Sequence, residues 1–204
     1  MNEIDRITEK KRMREFYLSE RAGMDPEYRS RADKAVCAAL SALSMVKDAE
    51  CIAAYISDGT EVDLREFLDG CEDTDKKIFL PRYCPACEAG YELVEINDLS
   101  LDLVPGKYGL MEPVQSLPAA TAGQIDNMLF LVPGVAFDDS GARLGRGKGI
   151  YDRLLSKTNS LSIGIFYDCQ RAEEIPAGDH DQSLDMIVTE KVILNLKNQL
   201  GRND

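Results

Sequence analysis

The sequence predicts a single α/β domain whose mainly parallel sheet is flanked by helices and bounded by an irregular or antiparallel edge. Short apolar runs at 51–56, 78–80, 128–132, 161–166 and 186–188 alternate with helical or turn-rich stretches, the pattern of buried strands joined by crossover helices. The chain has 204 residues, 44% of them hydrophobic, enough for one sizeable core and short for two. Between about 82 and 125 the regularity stops, because Pro85, Gly90, Pro105, Gly106, Gly109, Pro113 and Pro118 punctuate it; turns and an edge are expected there. The expected domain is 1–204, with N-terminal helices over 4–45 and an α/β core over about 50–200.

The first helix is read over 4–21, which lacks Gly and Pro and sets Lys10, Arg14 and Leu18 on one face at i, i+4 and i+8. Asp25 and Pro26 form a cap and first turn for a second helix over about 26–45, striped by Ala32, Val36, Ala39, Leu40 and Leu43. Cys51 to Ile56 is a buried strand ending at Ser57-Asp58-Gly59, and a third helix follows from Val62 to Leu68. Further strands match the later apolar runs. A last helix is expected from Glu190 to about Leu200, with frayed residues 201–204.

Composition excludes several functions. The formal net charge is −12, from 24 basic and 36 acidic residues, so general attraction to nucleic acid is disfavoured. No apolar run reaches the roughly 18 to 20 residues of a membrane span. The N-terminal stretch is charged from Glu3 and carries no secretory pattern, which leaves the cytoplasm as the expected compartment. Six scattered cysteines do not make a disulfide framework. Cys84 and Cys87 form one CxxC, but zinc needs two more ligands and the single histidine, His180, is far away; two loop thiols around Pro85 are expected.

Charge reverses locally between Gly141 and Lys157, where Arg143, Arg146, Lys148, Arg153 and Lys157 face only Asp152, a balance of 5 − 1 = +4. The segment lies between an apolar strand from Leu129 and a helix starting near Ile150, so its glycines let backbone N–H groups and a helix N-terminus face a phosphate. By spacing alone it is equally a mobile, solvated loop. It also fails the common nucleotide signatures: a Walker loop needs glycine at Ala142 and Ser or Thr at Gly149, and GxGxxG needs glycine at Ile150.

The string PGVAFDDSGARLGRGKGIYDR, Pro133 to Arg153, resembles the 5-formyltetrahydrofolate cyclo-ligase signature PGxAFDxxGxRLGxGxGYYDR. Supporting elements follow in family order: Lys10-x-x-x-Arg14, Glu61-Val62-Asp63, the Gly106 to Pro113 segment and His180-Asp181. The resemblance implies a single Rossmann-like α/β domain and ATP-dependent, Mg²⁺-dependent closure of 5-formyltetrahydrofolate to 5,10-methenyltetrahydrofolate, with ADP and phosphate released. From the charge and the apolar runs no nucleic acid or membrane partner is expected, and a monomer is expected. A relative that senses a nucleotide or another anion without catalysis is the alternative.

The resemblance also implies roles. Arg146 and Lys148 would be catalytic. Lys10, Arg14, Arg143, Gly145, Arg146, Gly147, Lys148, Gly149, Tyr151 and Arg153 would contact ATP. Ile56, Glu61, Tyr108, Lys148, Gly149 and Ile150 would line the folate site, and Asp152 and Asp181 would hold the metal. Each has a plainer reading beside it: Lys10 and Arg14 as a solvated helix face, Glu61 as a helix cap, Asp152 as a charge offsetting a helix dipole. Asp179 and Asp185 compete with Asp181 for the second metal position, and His180 is read as structural or supporting rather than as a general base. Ile150 departs from the family pattern, standing where the first of two tyrosines is common, whereas Tyr151 keeps the second.

Overall fold

The computed structural model describes residues 3–72 and 74–197, with Tyr108 described by its backbone alone. Helix α1 (Glu3–Ala22) has Glu3 and Asp5 in its first turn and Arg21 in its last, charges that offset the helix dipole, yet it buries only Met13 and Arg21. Helix α2 (Pro26–Ala42) is capped as expected, the Asp25 carboxylate accepting from the Tyr28 N–H at 2.9 Å. It buries Ala32, Val36, Cys37 and Leu40. The helix ends before 45, because Leu43 is extended at ψ 130° and separates it from the short α3 (Ser44–Asp48).

The remaining elements are β1 (Cys51–Ala53), α4 (Arg65–Glu72), β2 (Lys77–Tyr83), β3 (Tyr91–Ile96), β4 (Leu103–Pro105), β5 (Met111–Pro113), α5 (Ala122–Ile125), β6 (Met128–Pro133), β7 (Ala136–Phe137), β8 (Arg143–Leu144), α6 (Ile150–Leu155), β9 (Ser162–Ile165), β10 (Met186–Val188) and β11 (Ile193–Asn195). Seven strands form one sheet in the order β11-β10-β9-β6-β1-β2-β3, and β4–β5 and β7–β8 are separate two-stranded ribbons. The five inner strands are parallel, and β3 and β11 add antiparallel edges. The predicted fold class therefore holds, with an antiparallel edge at each side rather than one.

Alternation along the strands divides the core. Ile52, Ile78, Leu80, Leu129, Leu131, Ile163, Ile165 and Val188 pack on one face with α2 and α4, while Cys51, Ala53, Phe79, Met128, Phe130, Val132 and Ile187 pack on the other with Leu154 and Leu155 of α6. A third, smaller cluster joins Met13 of α1 to Val135, Ala136, Ala142, Leu144, Ala172 and Ile175. Among the described residues, no helix is long and apolar enough to cross a membrane.

Three expectations are corrected. The third helix begins at Arg65, not Val62, because the Tyr55 hydroxyl donates to the Val62 carbonyl at 3.0 Å and Asp33 accepts the Asp63 N–H at 3.0 Å, which commits these backbone groups outside the helix. No helix runs from Glu190 to 197: Thr189 Oγ1 accepts from the Lys191 and Val192 amides at 3.1 and 3.0 Å, reversing the chain so that β11 pairs with β10. Residues 198–204, including the expected frayed end, lie outside the described residues. Cys84 and Cys87 are not loop thiols but a disulfide, formed across the β2–β3 turn where the Cys87 N–H donates to the Cys84 carbonyl at 3.0 Å.

Candidate active site

The strand order reverses direction between β1 and β6: from β1 the chain moves outward to β2 and β3, and from β6 it moves the other way to β9 and β10. At such a switch point the loops leaving the two carboxyl ends diverge and open a crevice, the usual ligand position in open α/β sheets. The loop leaving β1 carries Ile56, Asp58 and Glu61. The chain leaving β6 passes through Gly134 and the β7–β8 ribbon into the basic loop 145–149 and α6.

The glycines of that loop do specific work on the backbone. Gly147 and Gly149 adopt φ of 85° and 61°, left-handed values that a side chain disfavours. A Cβ at Gly147 would approach the Arg14 guanidinium at 3.4 Å. Arg14 Nε in turn donates to the Gly145 carbonyl at 2.8 Å, so α1 is stitched to the loop. One face-repeat earlier, Lys10 forms an ion pair with Asp181. Lys10 and Arg14 are thus partly buried against the loop region rather than a solvated face.

Arg146 crosses to the β1 side, where its guanidinium pairs with Asp58 and lies 3.3 Å from Glu61 Oε1. Beneath them Arg21 is 1% exposed. It donates to Thr60 Oγ1 at 2.8 Å and the Gly134 carbonyl at 3.0 Å, and sits 3.9 Å from Asp58 and 4.0 Å from Glu61. Two arginines therefore enclose two carboxylates, and Arg21 Nε has no hydrogen-bond partner among the described residues. Burial pushes the Asp58 carboxyl up, but hydrogen bonds from Thr60, Arg146 and the Glu61 amide outweigh it and hold Asp58 well below the usual range. For Glu61 burial prevails over the attraction of Arg146 and Arg21, and its carboxyl is raised. Glu61 does not cap a helix, since α4 starts four residues later.

Arg143 lies under the loop: it is buried, and its Nη2 donates to Asp152 Oδ1 at 2.8 Å. The same oxygen accepts from the Gln182 N–H at 3.3 Å, which brings the Asp181 region to the start of α6. Asp181 also accepts from the Gly178 N–H at 2.6 Å. Burial raises its carboxyl, and Lys10 with that amide more than offsets this, holding it low. Of the competing aspartates, Asp185 is committed to Ser162, accepting from its N–H at 2.8 Å, and Asp179 is exposed. As oxygen donors, Asp152 and Asp181 have the chemistry a hard divalent cation takes, one or two carboxylates with water and phosphate completing the shell. His180 is exposed, and its carbonyl accepts from Gln182 Nε2 at 3.5 Å.

The other expected residues fall around this centre. Lys148 is exposed on the loop. Arg153 donates from Nη1 to the Lys148 carbonyl at 2.9 Å and from Nε to the Ala89 carbonyl at 3.0 Å. The Tyr151 ring has the Arg143 guanidinium 5.7 Å from its centroid, and burial pushes its hydroxyl up. Ile150 packs with the second core cluster and Ile56 with the first. The Tyr108 side chain lies outside the described residues. Two clefts elsewhere, one beside Leu68, Lys77 and Asn97 and one beside Arg12, Phe16 and Glu173, lack a phosphate-facing glycine loop.

Sequence reasoning missed Arg21, Asp58 and Thr60. Arg21 stands seven residues after Arg14 and eleven after Lys10, so the helical period already placed all three on one face. Asp58 was read only as a turn residue, and its second carboxylate oxygen, which faces Arg146, has no local sequence signal.

The model for the 5-formyltetrahydrofolate cyclo-ligase family matches residues 6–190. The chain is 32% identical over 198 residues to a 5-formyltetrahydrofolate cyclo-ligase of Mycolicibacterium smegmatis, covering 89% of this chain and 94% of that one. It is 33% identical over 155 residues to a probable 5-formyltetrahydrofolate cyclo-ligase of Schizosaccharomyces pombe, covering 67% and 72%. Its structure is similar to the solution structure of Aquifex aeolicus 5,10-methenyltetrahydrofolate synthetase, with a TM-score of 0.79, 32% identity, and coverage of 92% and 93%.

Proposed function

The chain belongs to the 5-formyltetrahydrofolate cyclo-ligase family, and from that premise we propose that it closes 5-formyltetrahydrofolate to 5,10-methenyltetrahydrofolate at the expense of ATP. The observation that carries the ATP reading is the convergence, at the β1/β6 switch point, of Lys10 and Arg14 of α1 with the glycine loop, opposite the Asp58–Glu61 turn.

A formamide oxygen is a poor leaving group, so the reaction needs that oxygen converted to a phosphate ester. The γ-phosphoryl group passes from ATP to the formyl oxygen as ADP departs; N10 of the same folate then attacks the activated carbon and closes the ring, its proton is lost to solvent, and the C–O bond breaks as phosphate leaves. Because nucleophile and electrophile share one molecule, the protein's task is to fold the substrate, offset phosphoryl charge and exclude water. In this reading the loop amides and Arg14 hold phosphate oxygens, and exposed Lys148 reaches the transferring group. Glu61 accepts paired N–H groups from the pterin, and Ile56, Tyr108, Gly149 and Ile150 border the folate. Arg146, already seated between Glu61 and the loop, bridges the two substrates. Arg143, Tyr151 and Arg153 support the loop from below and behind.

Asp152 and Asp181 would hold Mg²⁺, which when bound neutralises phosphate charge. In the structure each carboxylate is paired with a cation of the chain, Asp152 with Arg143 and Asp181 with Lys10.

The test is near-ultraviolet absorbance of the methenyl product with purified protein, 5-formyltetrahydrofolate and Mg²⁺, with and without ATP. Growth of the signal only with ATP, matched by phosphate release, is expected. ATP binding with no product sinks the proposal in favour of a sensor. Lys148→Ala is expected to lower turnover by about 10²- to 10³-fold, as for loss of a group that stabilises developing charge, with the unfolding midpoint unchanged.

A further inference from the structure

The β2–β3 turn carries chemistry that phosphoryl transfer does not use. Cys84 and Cys87 are joined as a disulfide in a turn closed by the Cys84 N–H to the Gly90 carbonyl at 3.0 Å and the Gly90 N–H to the Cys87 carbonyl at 2.8 Å. Both cysteines are partly exposed, and Pro85 and Ala86 at the tip are exposed; a thiol reagent can reach the bond. Cys37, Cys51 and Cys71 are buried thiols, and Cys169 is a single exposed one.

The turn is attached to the phosphate loop. Arg153 Nε donates to the Ala89 carbonyl at 3.0 Å, two residues past Cys87, and the same guanidinium donates from Nη1 to the Lys148 carbonyl at 2.9 Å. A second tie joins Glu88 to Lys157 at 2.7 Å. One side chain thus holds the backbone of the disulfide turn and that of the basic loop at once.

We propose that Cys84 and Cys87 are a redox modification site, reactive toward dithiols when oxidised and disulfides when reduced, whose state sets the order of loop 145–149 through Arg153. In the reducing direction a thiolate of the incoming dithiol attacks one sulfur, the Cys84–Cys87 bond breaks and a mixed disulfide forms. The reagent's second thiolate then displaces the remaining cysteine. The pair gains two electrons and two protons, and the reagent leaves as a disulfide. Closed, the bond restricts the turn and fixes the Ala89 carbonyl as an acceptor. Opened, the turn gains backbone freedom and the Arg153 tie weakens.

A metal centre is disfavoured at the same place. Cys84, Cys87 and Glu92 could present ligand atoms within 4.8 Å of one another, but Glu92 Oε1 is already taken by buried Arg82 at 2.8 and 2.9 Å, and a tetrahedral site needs a fourth ligand.

The full chain is equilibrated in oxidising and in dithiothreitol-containing buffer, thiols at 84 and 87 are counted by alkylation and mass, and amide hydrogen exchange is followed over 145–155. The loop readout needs no nucleotide; a parallel ATP titration by calorimetry rests on the ATP reading above. Reduction is expected to expose two thiols at this turn, to speed exchange at 145–149 by roughly threefold to tenfold, the effect of weakening one or two hydrogen bonds, and to weaken ATP binding by a similar factor. Cys84→Ser/Cys87→Ser is expected to exchange at the reduced rate in both buffers. Equal exchange in the two forms of the unsubstituted protein overturns the proposal, as does a buffer response that persists in the double variant, or stoichiometric zinc at 84 and 87. If the exchange responds but neither form binds ATP, the ATP reading fails and the redox site stands.

Discussion

The cluster of Arg21, Arg146, Asp58 and Glu61 concentrates opposed charges at the mouth of the crevice, and its members answer differently to protons. Because the Glu61 carboxyl is raised by burial, it gains its proton at a higher pH than an exposed glutamate. Folate binding that needs the carboxylate is then lost on acidification from above the ordinary range of about 4.3. KM for the folate is expected to rise along that acid limb, and in Glu61→Gln the limb disappears while KM is high throughout; an unchanged limb would remove Glu61 from the site. Arg21 is almost fully buried and holds the turn from below. Replacing it with methionine keeps volume but leaves the Thr60 hydroxyl, the Gly134 carbonyl and two carboxylates short of a partner, expected to cost on the order of 3 kcal/mol by urea unfolding. These residues mark the limit of sequence reading. Lys10, Arg14 and the glycine loop were visible through spacing and resemblance, but Asp58 gains its meaning from arginines remote in sequence, Arg146 lying 88 residues away.

Elements were legible where local chemistry and burial agreed. Helix α2 was, because Asp25, Pro26 and the Ala32–Val36–Leu40 stripe all point to the same structure. Asp25→Ala is expected to lower stability by about 1 kcal/mol, the usual value of a side-chain cap, measured as a lowered urea midpoint with unchanged slope. The C-terminal helix was misread because residues 190–197 have reasonable helix formers and no Pro or Gly. A single hydroxyl, Thr189 Oγ1, binds the two amides that turn the chain, and the sheet edge then supplies a partner for Ile193 to Asn195. The start of α4 was misplaced for a related reason, since the bonds that hold the Val62 carbonyl and the Asp63 N–H outside the helix come from Tyr55 and Asp33. In each case a contact outside the segment overrode its propensity.

For the whole molecule, the strand alternation that splits the core between two sheet faces was plain in the short apolar runs, whereas the order of the strands was not, since pairing β1 with β6 depends on a contact across 77 residues from Cys51 to Met128. Stability should respond to acid through Asp58 and Asp181, both held below the usual carboxylate range. A depressed carboxyl contributes fully above its unfolded value, near 3.9, and that contribution is lost as pH falls further toward the folded value. The unfolding free energy is therefore expected to decline below about pH 4, and Asp58→Asn is expected to flatten that decline; equal acid profiles would contradict the charge assignment.

The stitching of α1 to the glycine loop also fixes an order of events during synthesis. Arg14 leaves the ribosome 131 residues before Gly145, its partner, an interval of about 7 to 26 s at roughly 5–20 residues per second. Through that interval the helix has neither its ion pair at Asp181 nor the small apolar cluster of 135–175 to rest on. Helix α1 is thus seated well after it is made, and Lys10 finds its partner only once translation has passed residue 181.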